Sequence, residues 1–381
     1  MTRVALSVSV VQRGKSGVAT YIFGLLEGFR RIQASIEPVI IGLEEDRPLF
    51  EKWGFEWIPV SEAYRPALKN VLWHQACLPG LLRRKKVEVL HIPSYRRIVA
   101  FPPCPQVVTI HDCAAFALQG KYDIARMFYG RQVVPWLATR AKIITTVSQA
   151  TAKDVARYFR LTEKELHVIW NGLDHDFFRP PSPANVPTEL AQLAQTEPYF
   201  IYLARLEHPA KNHVRLIEAF EQFCLQNPLL RHQLLLGGAD WHGADVIHQR
   251  IEDSPFRARI RKLGFVAKKD LPIWYAGATA MVYPSLFEGF GLPPIEAMAC
   301  GCPVISSTRG ALGEVVGNAA ELINPESPDN ICSALQSLAL EPETRACLIQ
   351  KGLARATEFS WEHAASQLCD IYRLAVEKKK G

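Results

Sequence analysis

Short apolar runs rich in Val, Ile and Leu recur along the chain, and most are continuous rather than alternating. RVALSVSVV (3–11), PVIIGL (38–43), VEVLHIPS (87–94), QVVTIHD (106–112), KIITTVS (142–148) and LHVIWNG (166–172) fill the first half. YFIYLARL (199–206), HQLLLGG (232–238), IRKLGFV (260–266), TAMVYPS (279–285), GCPVISS (301–307) and AAELINP (319–325) fill the second. Continuous apolar runs suit strands buried on both faces, hence parallel sheets covered by helices. Helical spacing lies between them, as over 18–30, 150–159, 214–226 and 271–276. The pattern is a βαβ rhythm played twice, an α/β chain with two similar domains. The rhythm breaks over 177–200, where five prolines fall between Pro180 and Pro198. We therefore expect a first domain over 1–180, a linker over 181–198 and a second domain over 199–359. A last helix follows over 360–381, with Ser360 as its N-cap. Its apolar positions (Trp361, Ala365, Leu368, Ile371, Tyr372, Ala375) are spaced by three and four, which puts one face on a core.

Length agrees with two domains, since 381 residues can fill two full cores. The net charge of +6 fits an anionic ligand or an acidic membrane surface and falls short of a nucleic-acid binder's profile. Arg83-Arg84-Lys85-Lys86 is the densest basic run, read as a solvated helix end or as a surface for anionic lipid. Nine irregularly spaced cysteines suggest buried thiols in a reducing cytoplasm; Cys300-Gly301-Cys302 lacks the second ligand pair that zinc requires. The apolar opening run passes into Gln12-Arg13-Gly14-Lys15 without a small-residue cleavage site, so it reads as a strand rather than a signal peptide. No stretch approaches the roughly 20 apolar residues of a membrane helix.

Gly14-Lys15-Ser16 resembles the end of a nucleotide-binding P-loop, but the motif's first glycine would fall at Ser9. What remains is a strand, a Gly/Ser-rich turn and a helix starting near Ser16, whose free amides favour an anion. A second anion site is written into PSLFEGFGLPPIEAMACGCPVISS (284–307). A strand ends at Tyr283, Gly289 and Gly291 permit a tight turn, Pro293 and Pro294 suit a first helical turn, and Gly301 ends the helix. The amides of Phe290, Gly291 and Leu292 then face off a helix N-terminus. Glu288 and Glu296 flank it, and a carboxylate beside phosphate makes sense where it accepts hydrogen bonds from sugar or ribose hydroxyls. Arg205 and Lys211 follow a strand and precede a helix, where two cations would neutralise a pyrophosphate and the charge that develops as it leaves. His111-Asp112 also ends a strand on a ligand-binding edge; Asp112 either orients the histidine or caps the next helix.

The E-x7-E block from Glu288 to Glu296, within FEGFGLPxxEAMACGxPVI, resembles the donor-site motif of the retaining GT-B glycosyltransferases of family four. NGLDHDFFRP (171–180) and ARLEHPAKNHVRLIEAF (204–220) are similar to the family's segments on either side of the linker, so the likeness spans the chain. The resemblance implies two Rossmann-like parallel-sheet domains facing across a cleft, with the last helix returning to the first domain. It implies that Glu288 meets donor-sugar hydroxyls, Glu296 the ribose, and His111 the transferred sugar or the acceptor. The nucleobase is expected against backbone near Gly264, Phe265 and Val266, with guanine and uracil both open. The amides of Ser16 and Gly17 are expected to approach the donor phosphate or the acceptor as the domains close, with Lys15 as a rim cation. LEHPA puts one residue more between Arg205 and Lys211 than is usual in the family, which implies a longer loop.

Asp174-His175-Asp176 has the form of the D-x-D metal site of the other common transferase fold, yet it follows Asn171-Gly172 and reads as a turn; no metal ligand set is expected. The expectation is a metal-independent, retaining transferase with no bound cofactor. It would move a hexose, mannose favoured over glucose, N-acetylglucosamine or rhamnose, from a GDP- or UDP-linked donor. The acceptor would be a glycan or polyprenyl-linked glycan in polysaccharide assembly. The expected place is the cytoplasm, with peripheral contact to the anionic inner face of the membrane and no nucleic-acid partner. The E-x7-E block argues against a sugar-nucleotide epimerase of the same fold, which would need no acceptor, and a nicotinamide oxidoreductase would need a G-x-G-x-x-G after a strand, which is missing.

Overall fold

The computed structural model describes residues 1–14, 16–117, 128–181 and 197–380; Lys15 and most of the 181–198 segment lie outside them. The chain forms two compact units, Met1–Gly172 with Ser360–Gly381, and Leu173–Phe359.

The first unit carries, among the described residues, a seven-stranded sheet in the order β3-β2-β1-β4-β5-β6-β7. Its strands are β1 (Thr2–Ser7), β2 (Ile36–Leu43), β3 (Glu56–Val60), β4 (Val89–Ile92), β5 (Gln106–Ile110), β6 (Ile143–Thr146) and β7 (Leu166–Val168), all paired in parallel. Six of these are the continuous apolar runs of the first half. The seventh, β3, has no such run. It alternates buried and open positions and holds Pro59, as an edge strand with one paired side can. Helix α1 (Gly17–Arg31) follows β1, and α2 (Ala67–Ala76) precedes β4.

The second unit carries, among the described residues, a six-stranded parallel sheet in the order β10-β9-β8-β11-β12-β13. Its strands are β8 (Tyr199–Leu203), β9 (Gln233–Gly237), β10 (Ile260–Gly264), β11 (Ala280–Tyr283), β12 (Val304–Ser307) and β13 (Glu321–Ile323). Helix α3 (His213–Gln226) follows β8 and α4 (Leu292–Ala299) follows β11.

The last helix, α5 (Trp361–Lys380), belongs to the first unit's core, where Trp361, Leu368, Tyr372 and Ala375 are buried with Leu6, Ile22, Leu25 and Phe29. Close approach is possible because α1 presents glycines. A Cβ on Gly24 would stand 2.1 Å from the Trp361 ring, and one on Gly28 would stand 2.3 Å from the Trp361 carbonyl. Ser360 accepts from the His363 amide at 3.1 Å and caps the helix.

The boundary at 180 needs correcting: residues 173–180 group with the second unit. The Leu173 amide donates to the Phe359 carbonyl (3.2 Å), as does His175 Nε2 (2.8 Å). Phe178 is buried there, and the Lys268 ammonium lies over the rings of Phe177 and Phe178. Seven of the nine cysteines are buried, whereas Cys77 and Cys347 are exposed. Among the described residues no helix is long and apolar enough to cross a membrane.

Candidate active site

In the second unit the site grows from the turn between β11 and α4. Gly291 sits at φ +102°, and a Cβ there would come within 2.5 Å of the Leu312 side chain, so the turn needs glycine on both counts. Helix α4 starts at Leu292 without a side-chain cap, and Pro293 and Pro294 remove two of the first turn's amide donors. The amides of Phe290, Gly291 and Leu292 make no hydrogen bond to the described residues and form the positive end of the helix. The Phe290 side chain is buried, edge-on to Phe359.

Glu288 lies just before that end. Its Oε1 accepts from Lys211 Nζ at 2.5 Å and from the Tyr283 hydroxyl at 3.0 Å. The two charged side chains are only 15% and 16% exposed, so the pair is shielded. The Ala311 amide holds the Glu288 carbonyl at 3.0 Å and fixes the turn. Glu288 Oε2 has no hydrogen bond among the described residues. Lys211 is held in turn by its own carbonyl, which accepts from the buried Tyr202 hydroxyl at 2.7 Å.

Arg205 is not part of that cluster. Its guanidinium stands 4.7 Å over the exposed Trp241 ring and 3.3 Å from Glu207 Oε2. The loop between Arg205 and Lys211 is tied down by the Leu206 amide to Ala239 and the His208 amide to His242, both at 3.0 Å. Glu296 is half-buried on α4 and accepts from the Tyr275 hydroxyl at 3.3 Å. Burial pushes its carboxyl up to about 7, against the opposing pull of Lys268. At the end of β10 the Gly264 carbonyl accepts from the Gly238 amide at 2.7 Å, Val266 is half-buried and the Phe265 ring is exposed.

In the first unit Ser16 is the N-cap of α1: its Oγ accepts from the Ala19 amide at 3.1 Å. Gly17 is the first helical residue, and a Cβ there would meet no atom of the described residues within 4 Å. His111, half-buried after β5, packs edge-on against Tyr21 with ring centroids 4.6 Å apart. Its Nε2 lies 2.9 Å from the Pro93 carbonyl, which can only accept, so Nε2 carries the proton. Burial lowers the imidazole's pKa, which keeps it neutral and leaves Nδ1 as an acceptor. Asp112 serves the cap: its Oδ1 takes the Ala114 amide at 2.9 Å.

Within the D-x-D triplet, Asp174 closes its own turn onto the Phe177 amide and His175 is bonded to the Phe359 carbonyl. Among the described residues no cluster of three His, Cys, Asp or Glu side chains could hold a metal ion. Sequence reasoning did not single out Tyr283, Tyr275 or Trp241. The first closes a strand already assigned to the sheet, and the other two carry no spacing that ties them to the site.

Residues 15–177 match the family described as Glycosyltransferase Family 4, and residues 189–355 the family described as Glycosyl transferases group 1. The O-antigen chain mannosyltransferase B of Escherichia coli is 32% identical over 314 residues, covering 82% of this chain and 80% of that protein. The chain belongs to the group 1 glycosyl transferases. A second relative of this glycosyl transferase, the O-antigen chain mannosyltransferase RfbU of Salmonella typhimurium, is 26% identical and covers 88% of this chain and 91% of its own. Among solved structures, the sucrose-phosphate synthase of Thermosynechococcus elongatus superposes with a TM-score of 0.77 at 20% identity, over 98% of this chain and 99% of that one. Anabaena HepE in complex with UDP and glucose gives 0.76 at 17%, over 97% and 99%. At such identities the likeness is one of fold, and the fold of this glycosyl transferase is GT-B, with a Rossmann-like parallel sheet in each unit.

Proposed function

We propose that this enzyme moves a hexose, mannose favoured, from a GDP- or UDP-linked donor to a glycan or polyprenyl-linked glycan acceptor in polysaccharide assembly. Transfer retains the anomeric configuration and needs no divalent metal. The observation that carries the reading is the shielded Lys211–Glu288–Tyr283 cluster beside the uncapped start of α4. It couples a carboxylate with one oxygen unengaged, suited to sugar hydroxyls, to a cation and free amides suited to phosphate. Preference for mannose rests on the two O-antigen chain mannosyltransferases among the relatives.

In this reading Glu288 Oε2 accepts from the donor sugar and Glu296 from the ribose. The amides at 290–292, with Lys211 and Arg205, take up the diphosphate charge. The nucleobase lies along 264–266. The amides of Ser16 and Gly17 meet a phosphate or the acceptor, and His111 Nδ1 accepts from a sugar hydroxyl. The acceptor oxygen attacks the anomeric carbon on the face the phosphate leaves. The C–O bond to phosphate breaks, the new glycosidic bond forms, and the departing phosphate oxygen takes the acceptor's proton. The exposed basic run at 83–86, with Leu68 and Leu72 exposed on α2, supports peripheral contact with an anionic membrane from the cytoplasm.

A thermal-shift screen against GDP-, UDP- and dTDP-sugars tests the donor, because a ligand that binds only the native state raises Tm. GDP-mannose or UDP-hexoses should give the largest shift, turnover should survive saturating EDTA, and the product's anomeric configuration should match the donor's. Activity lost in EDTA and restored by Mn²⁺, or an inverted product, rejects the corresponding part of the reading.

A further inference from the structure

Strand order in the first unit reverses between β1 and β4: from β1 the chain runs outward to β2 and β3, then returns to β4 on the other side. Open parallel sheets take ligands at such a switch point, beyond the carboxyl ends of the strands. The segment Pro93–Arg97 lies directly after β4, and its Pro93 carbonyl is the one that holds His111.

Arg97 is locked into this segment. Its Nε donates to Asn70 Oδ1, and its Nη1 to the Arg96 carbonyl at 3.1 Å. Asn70 is 1% exposed and anchored on its own account: Ser9 donates to its Oδ1 (3.1 Å), and its Nδ2 donates to the Tyr64 carbonyl (3.0 Å). Beneath it, buried His74 bridges the Asn70 carbonyl (2.7 Å) and Ser7 at the end of β1 (2.8 Å). Tyr129 fixes the far side, its hydroxyl donating to the Arg96 carbonyl at 3.2 Å. Among the described residues no carboxylate pairs with Arg97. Burial lowers its guanidinium to about 10. Of its five N–H donors two are engaged among the described residues, and Nη2 has no partner among them.

A cation held rigidly, partly out of water and without a counter-ion, is costly unless a ligand brings the opposite charge. The donor diphosphate already has Lys211, Arg205 and the α4 amides in the other unit. We propose that Arg97 binds an anionic group carried by the acceptor, a phosphate or diphosphate ester on the acceptor sugar. The planar fork of guanidinium matches two phosphate oxygens at once. The inference rests on the glycosyltransferase reading, and it makes the first unit select phosphorylated acceptors over neutral ones.

The test compares three acceptors with one sugar: a short-chain polyprenyl diphosphate glycoside, the glycosyl 1-phosphate without lipid, and the methyl glycoside. Wild type should prefer one or both phosphorylated forms in kcat/KM, and whichever is used identifies the source of the anion. In Arg97→Gln the ratio of phosphorylated to neutral kcat/KM should fall at least about tenfold. Arg97→Lys keeps a cation, loses the fork and covers the case in which Arg97→Gln does not fold; its ratio should fall about threefold or more. No wild-type preference for a phosphorylated acceptor, or a ratio unchanged in both variants, overturns the proposal. Donor hydrolysis without acceptor tests the glycosyltransferase reading separately. If that fails, calorimetric titration of mannose 1-phosphate still reads the Arg97 site. Binding to wild type that weakens at least about tenfold in the variant supports it, and absent or equal binding overturns it.

Discussion

Glu288 and Glu296 belong to one short motif, yet their carboxyls are in opposite electrostatic situations. Glu288 is ion-paired to Lys211 and bonded to Tyr283, whereas Glu296 accepts from Tyr275 and is pushed up to about 7 by burial, against the pull of Lys268. Glu288→Gln keeps the shape and removes the charge. The variant should fold, with turnover reduced at least about tenfold, roughly 1.4 kcal/mol of barrier. A kcat near wild type in steady-state assays removes Glu288 from the reaction. Glu296 yields a pH dependence. Because its folded pKa is raised above the ordinary value near 4.3, the native state of the free protein favours the proton. That contribution is complete below the ordinary value and is lost as pH rises through about 7. Ribose hydroxyls that donate to the carboxylate favour its charged form, so donor binding expels the proton. Affinity for the sugar nucleotide should therefore rise between about pH 6 and 8 and flatten above, and in Glu296→Gln the rise should vanish. Calorimetry across that range checks it; a rise that survives in the variant assigns the proton elsewhere.

At the scale of elements, the apolar runs located twelve strands; most are buried on both faces and leave an unbroken apolar signature, while the edge strands β10 and β13 are partly open. β3 was missed because an edge strand with one covered face and Pro59 leaves none. The start of α4 was legible from glycines and prolines whose roles are local. The Arg97 cluster was not, because Ser9, Asn70 and Arg97 come from three separate segments and meet only through the sheet's crossover. The boundary at 180 failed for a similar reason: prolines mark where regular structure stops, while the hydrogen bonds that draw residues 173–178 to the second unit leave no trace in composition. Helix α1 offers a test of its first residue. Nothing among the described residues needs a glycine at 17, since a Cβ there has open space and φ is ordinary. Gly17→Ala should leave Tm unchanged or raise it, in line with a gain of about 0.5–1 kcal/mol for alanine over glycine in a helix. If its amide approaches a substrate, the same variant should lower kcat/KM several-fold. Full activity would release Gly17 from the site.

At the scale of the molecule, the first unit is assembled from two stretches of chain that are far apart in sequence. Deleting residues 360–381 strips Trp361, Leu368, Tyr372 and Ala375 from its core and uncovers the Gly24–Gly28 groove of α1. The truncated protein should lose hydrogen-exchange protection across 1–172 while 173–359 keeps its own, and transfer should stop. A soluble, protected and active truncation would mean that α5 adds nothing the first unit needs. The same discontinuity sets an order of events during synthesis. At elongation rates of roughly 5–20 residues per second, the intervening unit takes roughly 10–40 s to make. Throughout that interval the nascent first unit has its sheet but not its closing helix, so the half that emerges first from the ribosome is the last to be finished. The groove that later receives Trp361 is then an open apolar slot on a tethered chain, the kind of surface a holding chaperone covers, and its lifetime is set by translation of the other unit.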